Sequence, residues 1–156
     1  MPSRTVLLNQ AVEVARKTGM GFHGPRIFGS LALALSDQGQ RRQAILDGQA
    51  AIEAGCVGHN QPWFYVDAIQ AMLDLEDWDG VEHYARLLEE FTHVEPLAWC
   101  DLYVARGRVL AACAQGHRDG AILAELSRLR DEAVRLDILV ALPAIDRALT
   151  AIKPIV

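Results

Sequence analysis

Residues 19–26 read "GMGFHGPR". The three glycines fall at the G-x-G-x-x-G spacing of a dinucleotide-binding turn. That turn needs a β-strand before its first glycine, and its glycines let the backbone approach a pyrophosphate at the N-terminus of the following helix. The preceding stretch "AVEVARKT" (11–18) is patterned as a helix. A second stretch, "GCVGHNQP" (55–62), matches "GMGFHGP" (19–25): each opens on a glycine and carries an internal glycine, a histidine and a closing proline. The two are read as copies of one helix-connecting loop, with Gly19 and Gly55 ending a helix and Pro25 and Pro62 starting the next.

Further punctuation extends the pattern. Gly39 and Gly116 also read as helix ends, and Pro96 and Pro143 as helix starts. Pro25 to Pro62 is 37 residues and Pro62 to Pro96 is 34. In step with them, "DWDG" (77–80) and "HRDG" (117–120) lie 40 apart. Asp79 and Asp119 are placed to cap a helix by accepting from its free first-turn N–H groups. "DQGQRR" (37–42) holds the matching place in the first unit. Between these marks the apolar residues follow helical spacing. Val81, Tyr84, Ala85, Leu88 and Phe91 form one stripe, and Ile122, Leu126, Leu129, Ala133 and Leu136 another.

The pattern predicts an all-α fold of seven or eight helices, arranged as tetratricopeptide-like stacked hairpins in a single domain over 1–156. Periods of about 34 to 40 residues belong to helical-hairpin repeats. Ala44, Gly48 and Ala51 form a small-residue stripe where another helix can come close. The repeat's consensus glycine is replaced by Ala32 or Ile69. The helix from about residue 4 to 18 reads as the second half of an incomplete hairpin, a cap or a contact between copies.

Composition bounds the function. The 156 residues are 51% hydrophobic and 22% charged, with a net charge of −5. Such a balance disfavours nucleic acid and anionic membrane surfaces, which need a basic patch. The longest apolar runs are interrupted by Arg, Asp or Gln, and the N-terminus lacks the layout of a signal peptide. Three cysteines at irregular spacing do not make a disulfide framework, so a cytoplasmic setting is expected.

Chemistry-bearing residues are few. Cys56 and His59 form C-x-x-H, half of a zinc site without a second pair; the reading is no metal and no cofactor. The same pair lacks the orienting group and oxyanion hole of a catalytic thiol, so no catalytic residue is assigned. In "PWFYVDAI" (62–69), Phe64 or Tyr65 is expected in the core and Trp63 at a binding groove. Arg106 and Arg108 interrupt an apolar helix, either lining a surface or capping a buried acid such as Asp67. Arg128 with Glu132, and Asp131 with Arg135, read as i,i+4 pairs on a solvated face. First-helix positions facing a concave groove are Arg26, Trp63, Gln70, Asp74, Tyr103 and Arg106, the expected binding residues.

"GCVGHNQPWFYVDAI", "LEDWDGVEHYARLLEEFTHVEPLAWCDLYVARGRVLAA" and "ELSRLRDEAVRL" resemble the C-terminal tetratricopeptide-like region of bacterial proteins that couple a class III adenylate/guanylate cyclase domain to an ATPase module. The resemblance runs from about residue 10 to 150 and is most specific over 55–112. It implies a helical interaction or sensor region in signalling. It implies no catalysis, since the cyclase aspartates and the phosphate loop of such proteins lie outside this region. The expected partner is a peptide, a protein domain or a second copy of the chain, with a small-molecule sensor as the alternative.

Overall fold

The computed structural model describes residues 2–56 and 58–152. The chain is all-α, with eight α-helices among the described residues. It divides into two compact units, Met1–Leu75 and Glu76–Val156. The first holds α1 (Arg4–Thr18), α2 (Met20–Ala34), α3 (Gln38–Glu53) and α4 (Gln61–Asp74). The second holds α5 (Trp78–Thr92), α6 (Ala98–Ala114), α7 (Gly120–Arg135) and α8 (Leu142–Ile152). Short 3-10 turns, Gly58–Asn60 and Leu139–Ala141, precede α4 and α8.

Side-chain caps set most helix starts. Ser3 accepts from the Val6 N–H at 3.3 Å, Asp37 from Gln40 at 2.8 Å, and Asp77 from Gly80 at 3.0 Å. Asp119 accepts from both Ala121 and Ile122. Each carboxylate or hydroxyl satisfies a donor that has no partner inside its helix. Helix ends at Gly19, Gly55 and Gly116 use positive φ values of 114°, 97° and 95°, where a Cβ would be strained.

Several boundaries differ from those read in the sequence. Asp77, not Asp79, caps α5, which leaves Asp79 in the first turn. Gly39 does not end a helix: Asp37 caps α3, and Gly39 lies in its first turn. Pro25 does not start α2, which opens five residues earlier, so 20–25 are helix rather than loop. Proline there forfeits only one early backbone bond. Buried Asn60 donates through Nδ2 to the Phe22 carbonyl in that same turn. The two matching stretches therefore share their helix-ending glycine but not their path afterwards; Val57 lies outside the described residues. A helix, α1, leads into Gly19, so the strand of a dinucleotide turn is not there.

In the first unit α2 is central, packing against α1, α3 and α4. Phe64 of α4 is fully buried and lies on Gly48 of α3. The small-residue stripe is used as its composition predicts: Ala44 is buried, Phe64 covers Gly48, and Gly24 of α2 comes close to Ala51.

In the second unit Leu102, Val109, Leu126, Leu129, Ala133, Ala141 and Ile145 form one core cluster of α6, α7 and the start of the last hairpin arm. On α5 Val81, Tyr84, Ala85 and Leu88 are buried, while Phe91 at the end of the stripe is exposed. Arg108 of α6 joins Glu82 and Glu89 of α5, at 2.8 and 2.6 Å. Those bonds hold Glu82 below the usual carboxylate range and push the arginine up. The ion pairs within α7 are i,i+3, Arg128 with Glu125 and Arg135 with Glu132, rather than the i,i+4 pairs read from spacing, and Arg130 reaches Asp146 of α8 at 2.8 Å.

A methyl group at Gly48 would overlap the edge of the Phe64 ring, 3.0 Å from both Cδ2 and Cζ. Alanine gains about 1 kcal/mol of helix propensity over glycine. Overpacking against an immobile buried ring costs about 1–3 kcal/mol. Gly48→Ala is therefore expected to lower the urea midpoint of unfolding; an unchanged or higher midpoint would show that Phe64 has room to move.

Candidate functional site

Trp63, Asp67, Gln70 and Asp74 recur at i, i+4, i+7 and i+11, so they share one face of α4. The neighbouring helices supply partners along that face. At its N-terminal end the Arg26 guanidinium of α2 lies over the Trp63 ring, 4.9 Å from the centroid. This is cation–π geometry. Trp63 keeps 42% of its surface exposed, while Phe64 and Tyr65 beside it are buried. Phe64 and Tyr65 are thus the core aromatics, and Trp63 is the exposed one of the three.

One turn on, α2 presents Gly29 and Ser30 to Asp67. A methyl group at Gly29 would fall 2.9 Å from both Cβ and Oδ2 of Asp67, so only glycine admits this approach. Ser30 Oγ donates to Asp67 Oδ2 at 3.4 Å, a long bond. Burial pushes the Asp67 carboxyl up to about 6, against the smaller opposing effects of the Ser30 bond and of the Arg26 and Arg4 charges. Low-dielectric surroundings disfavour the ionised form, and its partners only partly compensate.

Farther along, Gln70 donates to Asp74 Oδ1 at 2.8 Å. Arg41 of α3 reaches Asp74 Oδ2 at 3.4 Å. The same guanidinium donates twice to the Leu35 carbonyl, at 3.2 and 2.7 Å. Leu35 is the extended residue that ends α2, so the arginine ties the α2–α3 turn to α4.

Four of the six residues expected at a groove, Arg26, Trp63, Gln70 and Asp74, thus lie along one α2–α4 face. The other two belong to the second unit. Tyr103 is half-buried there, its ring 5.9 Å from the Arg106 guanidinium. Arg106 is a correction to the surface reading. It is only 6% exposed and its Nε donates to the Ala141 carbonyl at 3.4 Å. The carbonyl of the 3-10 turn before α8 gives the buried guanidinium a polar partner, as a buried charge requires. Asp67, Ser30, Gly29 and Arg41 were not assigned to the face by spacing alone. A signal for Asp67 was present: it is the only acid in the first three turns of an otherwise apolar helix.

Two other regions of the first unit bear on the expected chemistry. Near the Gly58–Asn60 turn the Phe22 ring meets His23 and His59 edge-on, at 4.3 and 5.8 Å between centroids. Cys56 is half-buried and His59 exposed, and no group of three or more His, Cys, Asp or Glu able to hold a metal occurs among the described residues. Between α1 and α2 an apolar groove of about 370 Å³ is lined by Val14, Ala15, Phe22 and Ile27 among others. No helix among the described residues is long and apolar enough to cross a membrane.

Comparison with family models, with curated proteins and with solved structures gives no match to this chain.

The Asp67 carboxyl gives a signed prediction. Its folded value, about 6, lies above its ordinary value of 3.8. The protonated form is therefore favoured by folding, and its stabilising contribution is complete below 3.8 and lost as pH rises through about 6. Glu82, Glu125 and Glu132 are lowered and act in the opposite sense, but only as pH falls below the carboxylate range. Between pH 5 and 7.5 wild type should lose about 1 kcal/mol through Asp67. Urea unfolding of Asp67→Asn should show that loss removed, with a midpoint at pH 7.5 above wild type. A parallel pH dependence in the two proteins would assign the fall to other groups.

Proposed function

We propose that this chain is a non-catalytic helical-repeat interaction module of a bacterial signalling system that binds a peptide or partner segment on the α2–α4 face of its first unit. The observation that carries this reading is the partly exposed Trp63, stacked with Arg26, at the head of a row of polar side chains on one helix face. A large aromatic beside a guanidinium is a common anchor of protein interfaces. Gln70 and Asp74, bonded to each other, extend a polar surface from the aromatic along the same helix face. Helical-hairpin arrays use such faces for binding. The resemblance to cyclase–ATPase signalling proteins supplies the context, in which this region would relay recognition rather than perform chemistry.

A second reading, a small-molecule sensor, draws on the apolar groove between α1 and α2. An apolar ligand held there would raise the melting temperature by linkage.

A displayed library of random dodecapeptides, selected against the full chain, tests the first reading. Selected peptides should bind wild type, and the folded Trp63→Ala/Gln70→Ala variant should lose at least tenfold in affinity, about 1.4 kcal/mol. Helical content by circular dichroism should be unchanged. Equal binding to the two proteins would remove the site from this face. A library that yields no binder, alongside a thermal shift with apolar compounds, would favour the sensor.

A further inference from the structure

Resting on the peptide-binding reading, we infer that the α2–α4 face selects its peptide by a lysine or arginine side chain, the cationic head drawn to the Asp67 carboxylate and the stem laid along Trp63 in place of Arg26. Three features of the face converge on a cation.

The first is that Trp63 already holds one. The Arg26 side chain lying against its ring shows that a long basic side chain fits at this spot. Arg26 is itself exposed and Trp63 partly so, which makes the stack one of the weaker kind. Arg26 can swing out on its flexible stem and yield the place to an incoming side chain.

The second is the weakly compensated carboxylate one turn away. Asp67 is packed against Gly29, and its hydrogen bond from Ser30 is long, at 3.4 Å. Arg26 and Arg4 act on it through space, and no ion pair among the described residues includes it. A desolvated carboxylate lacking a close cation gains a strong charge-assisted bond when a guanidinium or ammonium arrives. An apolar side chain would cover Trp63 yet bury Asp67 further without a partner, and an anionic one would add repulsion. The next carboxylate along the face, Asp74, is already engaged by Gln70 and Arg41, which leaves Asp67 to discriminate.

The third is overall charge. A net charge of −5 steers basic partners toward the chain and acidic ones away.

The titration of Asp67 gives the inference a signature. The groups that face it are Ser30 and Arg26 of α2 and Arg4 of α1. Arg41 of α3 is turned to Asp74, and the His59 ring of the turn before α4 meets Phe22. A bound cation holds Asp67 ionised, so binding near pH 6 releases protons and the preference for a cation fades as pH falls to 5.

The test uses the full chain and four blocked dodecapeptides in a Gly/Ser/Ala background, with a central Arg, Lys, norleucine or Glu, titrated by calorimetry. At pH 7.5 the Arg and Lys peptides should bind at least tenfold more tightly than the norleucine peptide, and the Glu peptide least. The preference should collapse to under threefold in Asp67→Asn and in wild type at pH 5, while Arg26→Ala should bind the Arg peptide more tightly. A norleucine or Glu peptide that binds as well as Arg would overturn the inference, and so would a cation preference that survives in Asp67→Asn. Binding of these peptides that is lost in Trp63→Ala would still leave the interaction reading standing. If none of the four binds, the cationic inference falls, and the library selection decides the broader reading.

Discussion

Two missing side chains seat α4. Phe64 and Asp67, three residues apart on that helix, press respectively on Gly48 of α3 and Gly29 of α2. A Cβ at either glycine would collide with them. Close-packed interiors do not absorb such volume without displacement. The position of α4 is therefore fixed on two sides by glycine, and everything carried on its polar face inherits that position. Trp63 is held beside Arg26, and Asp74 within reach of Arg41, because Phe64 and Asp67 have no other depth at which to sit.

The same close approach creates the chemistry of the face. Against Gly29 the Asp67 carboxylate loses water, and the long Ser30 bond with the through-space charges of Arg26 and Arg4 compensates only in part, so its proton is held to about 6. A structural solution would have neutralised the position with an apolar side chain or a close arginine. On the proposed peptide-binding reading, an incoming donor would recover what burial of the carboxylate costs. The contrast with Arg108 is instructive. There two glutamates surround one arginine at hydrogen-bonding distance, and the network simply ties α5 to α6.

Helices and their apolar stripes were legible in the sequence because 3.6-residue periodicity and capping chemistry are local. Asp119, Gly19, Gly55 and Gly116 all mark the boundaries their residue types imply. Local rules failed where tertiary partners intervened. Pro25 reads as a helix start, yet Asn60, 38 residues away from Phe22, supports the turn ahead of it. Arg106 reads as a surface charge, yet the Ala141 carbonyl, 35 residues on, meets it in the interior. The candidate face was half legible. Trp63, Gln70 and Asp74 share a helix period, and Arg26 falls at a first-helix position. Asp67 was legible as a candidate buried acid, but the glycine it packs against, Gly29, lies in another helix, and no spacing within α4 identifies it.

The central claim is that the α2–α4 contact leaves a desolvated, poorly compensated carboxylate at Asp67. It is tested most directly by the Asp67 side-chain carboxyl carbon followed by NMR from pH 3 to 8, assigned by its loss in Asp67→Asn. A single titration with its midpoint near 6 is predicted. A midpoint near the ordinary 3.8 would mean that water or a cation reaches Asp67 in the free protein, and would contradict the account.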